Sequence, residues 1–275
     1  MTEKTIIITG ASDGIGRAAA TNLKASGANV VITGRSKEKT KAVAEELKVS
    51  YYISDFSKLD EVRKLGSELI KDYSTIDVLA NNAGGIMGSD RILTQDGYDR
   101  AIQVNHLAGF LLTNILMDTL CASKATVINT SSAAQQFSGE IDVNDLKLEK
   151  GYSRMGAYGK SKLMNVLFTK ELHRRYNPEG ISTAAFHPGV VRTNFGEEFG
   201  GSTKFLYSGP MKYVLRTPEK GADTLVWLAT SIPGKDWASG EYYSNRKINR
   251  PNRQAEDTQN AKNLWEISLK ATGIA

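Results

Sequence analysis

Residues 5–16 read TIIITGASDGIG, and the fold follows from what this stretch becomes. Ile6, Ile7 and Ile8 form an unbroken apolar run, the pattern of a short strand buried on both faces. The run stops at Thr9-Gly10. Gly10, Gly14 and Gly16 then fall where a strand must turn tightly into a helix, and residues without a Cβ let the main chain approach a bulky group. A helix expected over 14–26, ending at Gly27, would aim free N–H groups and a positive dipole end at phosphate. The spacing is G-x-x-x-G-x-G and departs from the G-x-G-x-x-G fingerprint. The strand before it and the helix after it still make a dinucleotide turn of Gly10, Ser12, Asp13, Gly14, Ile15 and Gly16 the natural reading.

The alternation continues outward. Strands are expected at 29–33, near 51–53, at 76–80, 125–129, 181–186 and 241–244. Helices are expected at 37–47, 58–72, about 98–120, 155–176, 219–229 and 257–270. Buried β runs separated by helical segments imply βαβ units. The fold class is therefore α/β: a single-domain doubly wound parallel sheet (Rossmann fold) with helices on both faces, covering residues 1–275. The stretches 138–153 and 196–209 are read as excursions from that one domain.

Composition narrows the function. The chain has 275 residues, 40% of them hydrophobic, with 35 basic and 30 acidic side chains and a net charge of +5. The basic residues are interleaved with acids, as in SKEKTKAVAEE at 36–46, which describes a solvated surface and not a nucleic-acid footprint. No apolar run approaches the roughly 20 residues of a membrane span. The N-terminus has no cleavable signal pattern. Cys121 is the only cysteine, so an internal disulfide and a four-cysteine metal site are excluded. A cytoplasmic protein with no metal is expected.

The second strand ends in Thr33-Gly34-Arg35-Ser36. An NAD site would place Asp or Glu near here for the ribose 2′-hydroxyl. Arg35 instead suits a 2′-phosphate, which a guanidinium grips with paired hydrogen bonds. This predicts NADP(H) over NAD(H), with Arg17 and Lys37 as further cations.

Residues 157–162 read AYGKSK. On a helix Tyr158 and Lys162 stand at i and i+4 and share a face, whereas Lys160 points elsewhere. A free tyrosine has a pKa of about 10, and a nearby ammonium lowers it. A tyrosine so tuned can give a proton to a carbonyl oxygen or take one from an alcohol.

These elements occur in a recognisable order: Thr9-Gly-x-x-x-Gly-x-Gly16, Asn81-Asn82-Ala83-Gly84, Asn105, Ser132, Tyr158-x-x-x-Lys162 and Pro188-Gly189-Val190-Val191-Arg192-Thr193. The chain resembles the short-chain dehydrogenases/reductases from residue 4 to its tail. Within them it is similar to retinol-dehydrogenase-like and WW-domain-oxidoreductase-like members, through residues 163–172, His187-Pro188-Gly189 and Leu264-Trp265-Glu266-Ile267-Ser268. The resemblance implies that Tyr158 is the acid/base and that Lys162 lowers its pKa and holds the nicotinamide ribose. It implies that Ser132 binds the substrate oxygen, with Ser131 as the alternative, and that Asn105 keeps a water-linked proton relay. Asn82, Ala83 and Gly84 would lie beside the adenosine ribose and Asp55-Phe56 at the adenine. Pro188, Gly189, Val191 and Thr193 would face the nicotinamide. Residues 1–130 would mainly bind cofactor and 131–275 carry the catalytic residues. In that second part, a lid over about 194–216 would place Phe195, Phe199, Phe205, Leu206 and Tyr207 around an apolar pocket. A homodimer or homotetramer would be typical of the family.

The expected function is NADP(H)-dependent interconversion of a small-molecule carbonyl and its alcohol, with an apolar substrate. The alternatives are a catalytically silent NADP(H)-sensing protein on the same fold and a nucleotide-sugar epimerase, which also uses Y-x-x-x-K. His106, His173 and His187 form no metal pattern. His106 is expected on a different side of its helix from Asn105, His173 in solvent beside Arg174 and Arg175, and His187 in a structural role at a strand end.

Overall fold

The computed structural model describes residues 4–191 and 216–274. Its first half runs β1 (Thr5–Ile8), α1 (Gly14–Ala25), β2 (Asn29–Gly34), α2 (Lys37–Leu47), β3 (Ser50–Ile53), α3 (Leu59–Asp72) and β4 (Val78–Asn81). Then follow α4 (Arg100–Ile102), a π-helical turn (Gln103–Leu107), α5 (Ala108–Ile115), α6 (Met117–Ala122), β5 (Thr126–Thr130) and a 3-10 turn (Ala133–Phe137). The rest is α7 (Arg154–Tyr176), β6 (Ser182–His187), α8 (Pro218–Thr230), β7 (Glu241–Ser244), β8 (Lys247–Ile248) and α9 (Thr258–Thr272).

The strands form one sheet in the order β3-β2-β1-β4-β5-β6-β7-β8. Every pairing is parallel except the last, β7 with β8. Side chains alternate faces along a strand, and the three isoleucines of β1 show it. Ile6 and Ile8 pack with α1 and α8 on one face, while Ile7 packs with α3, α5 and α7 on the other. All three are at most 1% exposed, so β1 is buried from both sides, as its unbroken apolar run predicts. The chain order reverses between β1 and β4, and the crevice at their C-terminal ends is where open α/β sheets bind ligands.

The long helix expected over 98–120 is broken. It starts at Arg100 because Asp99 caps it, accepting from the N–H groups of Ala101 at 2.9 Å and Ile102 at 3.2 Å. It widens into the π turn at 103–107 and breaks again at Leu116, whose ψ of 1° leaves the helical range. The stretch 138–153 packs back onto the domain it leaves. Ile141, Val143, Leu146 and Leu148 are buried in a core shared with α7 and α9. β8 is a strand of two exposed residues that pairs antiparallel with β7.

The C-terminal helix α9 is fastened to α7. Trp265 meets Phe110 edge-on at 5.1 Å, and the Arg175 guanidinium lies 4.7 Å over the Trp265 ring. Buried Glu171 accepts from Arg174 and Arg175, both at 2.6 Å, and Arg175 also reaches Glu266 at 2.7 Å. His173 is half-buried and shares a 2.9 Å hydrogen bond with Ser239, so it is not the solvated residue its arginine neighbours suggest. Among the described residues no helix is long and apolar enough to cross a membrane.

Candidate active site

The turn after β1 fits closely against the end of β4. Gly10 has φ +66°, and a Cβ there would lie 2.6 Å from Ala83 Cα; a Cβ on Gly16 would lie 2.5 Å from the Gly10 carbonyl. Both positions therefore require glycine. Thr9 Oγ1 accepts from the N–H groups of Asn82 and Ala83, each at 3.0 Å. Asn82 Nδ2 returns to the carbonyls of Thr9 at 3.0 Å and Gly10 at 3.2 Å. Asp13 caps α1 and accepts from Gly14 N at 2.7 Å. Ser12 packs on the end of β2, where a Cβ on Gly34 would lie 3.1 Å from Ser12 Cβ. The first turn of α1 offers N–H groups without intrahelical acceptors above this cradle, which fits a pyrophosphate.

Arg35 is exposed one residue past the end of β2. Arg17 is committed elsewhere, to Glu46 at 2.7 Å. The Asp55 carboxylate accepts from Ser57 N at 3.0 Å and Ser57 Oγ at 2.8 Å, which holds the loop after β3. Phe56 is 6% exposed, and its ring belongs to the core below the rim.

Asn105 sits in the π turn. Its Oδ1 accepts from Gly85 N at 2.8 Å, and its Nδ2 donates to the Gly85 carbonyl at 3.0 Å and Ser161 Oγ at 2.9 Å. A Cβ on Gly84 would lie 2.5 Å from Asn105 Oδ1, so this loop can close on Asn105 only with glycine at 84. π turns free main-chain carbonyls and recur at functional sites. Here the Asn105 carbonyl accepts from Asn165 Nδ2 at 2.9 Å.

That contact fixes the polarity of a buried chain. Asn165 Nδ2 also donates to the Thr130 carbonyl at 3.1 Å. Carbonyls only accept, so the amide orientation is determined and Asn165 Oδ1 must face His106 Nδ1, 3.2 Å away. His106 Nδ1 therefore carries the proton, and Nε2 accepts from Ser268 Oγ of α9 at 3.1 Å. Burial pushes the His106 imidazole down to about 4, which keeps it neutral.

Tyr158 and Lys162 share a face of α7. Ser153 caps this helix by accepting from Gly156 N at 3.1 Å. Lys162 is 2% exposed and donates from Nζ to the Thr130 carbonyl at 3.0 Å. Its Nζ stands 5.6 Å from the centre of the half-buried Tyr158 ring. Burial lowers the ammonium pKa to about 8. A Cβ on Gly159 would lie 2.8 Å from the Ala134 carbonyl, so the glycine beside Tyr158 lets the 3-10 turn pack directly on α7.

The two serines at the end of β5 differ in employment. Ser131 is 1% exposed, and its Oγ donates to the Lys162 carbonyl at 2.8 Å. Ser132 is half-buried and caps the 3-10 turn, its Oγ accepting from Ala134 N at 3.2 Å. Its own O–H is left to donate. After β6, Val191 packs with Ile15 over α8, where a Cβ on Gly221 would lie 2.6 Å from Val191 Cγ2 and 3.2 Å from Ile15 Cγ1. Pro188 is buried beside Gly189. Thr193 and the expected lid lie outside the described residues, apart from Arg216.

The sequence reading missed three contributors: the Thr130 carbonyl, Asn165, and Ser161, whose Oγ accepts from Asn105 and donates to the Tyr158 carbonyl at 2.8 Å. Asn165 carries a legible signal, since it is polar in the apolar run Leu163 to Phe168 and lies one helical turn beyond Lys162.

The family model for short chain dehydrogenase matches residues 4–202. A candidate daunorubicin C-13 ketoreductase of Streptomyces sp. (strain C5) is 41% identical over 277 residues, covering 98% of this chain and 93% of that protein. Retinol dehydrogenase 13 of Homo sapiens is 37% identical over 284 residues, covering 98% and 85%. A crystal structure of a protein from Mycobacterium paratuberculosis is 30% identical and superposes with a TM-score of 0.78, covering 98% of this chain and 93% of that one. The chain therefore belongs to the short-chain dehydrogenase family, oxidoreductases that use a nicotinamide cofactor.

Proposed function

We propose that the protein interconverts an apolar aldehyde or ketone and its alcohol with NADP(H). The observation that carries this reading is the Tyr158–Lys162 pair: a buried ammonium one helical turn from a half-buried phenol, at the rim of a dinucleotide cradle. The relatives named for retinol and for a daunorubicin ketone support carbonyl/alcohol chemistry.

The nicotinamide, when bound, supplies or accepts the hydride. The turn from Gly10 to Gly16 holds the pyrophosphate, and Asn82, Ala83 and Gly84 border the adenosine ribose. Asp55 and the Phe56 main chain border the adenine. Pro188, Gly189 and Val191 border the nicotinamide. Arg35 is exposed at the end of β2, where a ribose 2′-phosphate would meet it, and this favours NADP(H).

Ser132 donates its O–H to the substrate oxygen, and Tyr158 delivers a proton to that oxygen during reduction or removes one during oxidation. The Lys162 ammonium favours the phenolate and so brings the Tyr158 proton closer to neutral pH. Asn105 orders the Gly84-Gly85 loop beside Lys162 and supports proton resupply. The test is turnover of NADPH and of NADH by the purified protein against aldehydes and ketones of increasing apolar bulk. Alcohol formed in step with NADPH consumed, faster than with NADH, is the expected result. An absence of turnover in either direction with every pair would overturn the proposal.

A further inference from the structure

His187 ends β6 on the face that carries Ala185, toward α7, opposite to Phe186. Its Nδ1 lies 3.1 Å from the N–H of Ala133, the residue after Ser132. An amide N–H only donates, so Nδ1 must hold a lone pair and the ring proton must sit on Nε2. The next amide, Ala134 N, is taken by Ser132 Oγ. Two successive N–H groups after Ser132 are thus held, the first by His187 and the second by the serine itself. The middle of the turn is held as well, because Gln135 accepts from Asn252 through both its side chain, at 2.7 Å, and its main chain, at 3.0 Å.

We propose that His187 is a positioning residue for Ser132: by accepting the Ala133 N–H it fixes the turn from which the Ser132 hydroxyl donates to the substrate oxygen. The inference rests on the role given to Ser132 above. A protonated ring would set a donor against a donor and release the turn. Two features hold the ring neutral, its burial first and the nearby Arg216 cation second, and together they lower its pKa to about 4.

Two substitutions separate this role from packing. His187→Phe keeps the ring and removes the acceptor, whereas His187→Asn loses bulk but keeps an acceptor near the place of Nδ1. His187→Phe is expected to lose about tenfold in kcat, with NADPH affinity within about twofold of wild type. His187→Asn should recover to within about threefold of the wild-type kcat. Adding His187→Phe to Ser132→Ala should cost nothing further, because the histidine acts through the serine. A wild-type kcat in His187→Phe, or a His187→Asn no faster than His187→Phe, would overturn the proposal while leaving the assigned function standing. A wild-type protein that reduces no carbonyl would remove the function and this role together.

Discussion

Lys162 and Asn165, one helical turn apart on α7, donate to the same acceptor, the Thr130 carbonyl, at 3.0 and 3.1 Å. The end of β5 is therefore held by the lysine and by an amide that also ties the π turn and, through His106 and Ser268, the C-terminal helix. Asn165→Leu conserves bulk but leaves His106 Nδ1–H without its acceptor. Leaving a buried donor unpaired costs about 1–3 kcal/mol. Urea unfolding should show a loss of that size, accompanied by a lower kcat with an unaltered preference between NADPH and NADH. Unchanged stability would mean the chain of contacts carries no strength.

Lys162 is set where charge is unwelcome. Its pKa falls from the ordinary 10.5 to about 8 on folding through burial. Below pH 8 both states carry the charge and the folded state bears the full penalty. Between pH 8 and 10.5 the unfolded chain holds more protons, so this group's contribution to stability improves as pH rises. The shift corresponds to about 3 kcal/mol. Lys162→Met should therefore be inactive yet more stable than wild type near pH 7, with the advantage shrinking toward pH 10. A Lys162→Met protein less stable than wild type at pH 7 would contradict this.

Ser131 and Ser132 should respond differently to the same change. Ser131→Ala removes a hydrogen bond to the Lys162 carbonyl, so it should lower stability by about 1 kcal/mol and leave most turnover. Ser132→Ala removes the proposed donor to the substrate oxygen and should lower kcat by about 100-fold or more with little effect on stability. Equal kinetic losses would show that the division of labour is wrong.

Arg35 should govern the choice of cofactor. Arg35→Ala should weaken NADPH binding by about 10- to 100-fold, the worth of a charge-assisted bond to phosphate, and leave NADH binding nearly unchanged. Dissociation constants for both reduced cofactors measure this. A parallel loss for NADH would place Arg35 away from the 2′-phosphate.

Much of this was written in local pattern. The Ile6-Ile7-Ile8 run, the turn at Gly10 to Gly16 and the i,i+4 placement of Tyr158 and Lys162 are short-range signals, and the sheet and the glycine cradle follow from them. The π turn at Gln103–Leu107 was not legible, because what meets it is Asn165, some 60 positions away. The core role of 138–153 was hidden because Ile141, Val143, Leu146 and Leu148 follow neither helical nor strand spacing. The different surroundings of Ser131 and Ser132 were not legible either, since they are adjacent at a strand end and only their partners distinguish them. His173 misled because charged neighbours say nothing about which face of a helix lies on Ser239.

In the proposed chemistry Tyr158 carries the proton and Lys162 tunes it. Its most direct test is the pH dependence of NADPH-driven carbonyl reduction by wild type and Tyr158→Phe, with NADPH affinity measured alongside. Tyr158→Phe is expected to bind NADPH as wild type does and to lose nearly all turnover at every pH. A Tyr158→Phe protein that reduces the same carbonyl at the wild-type rate would contradict it.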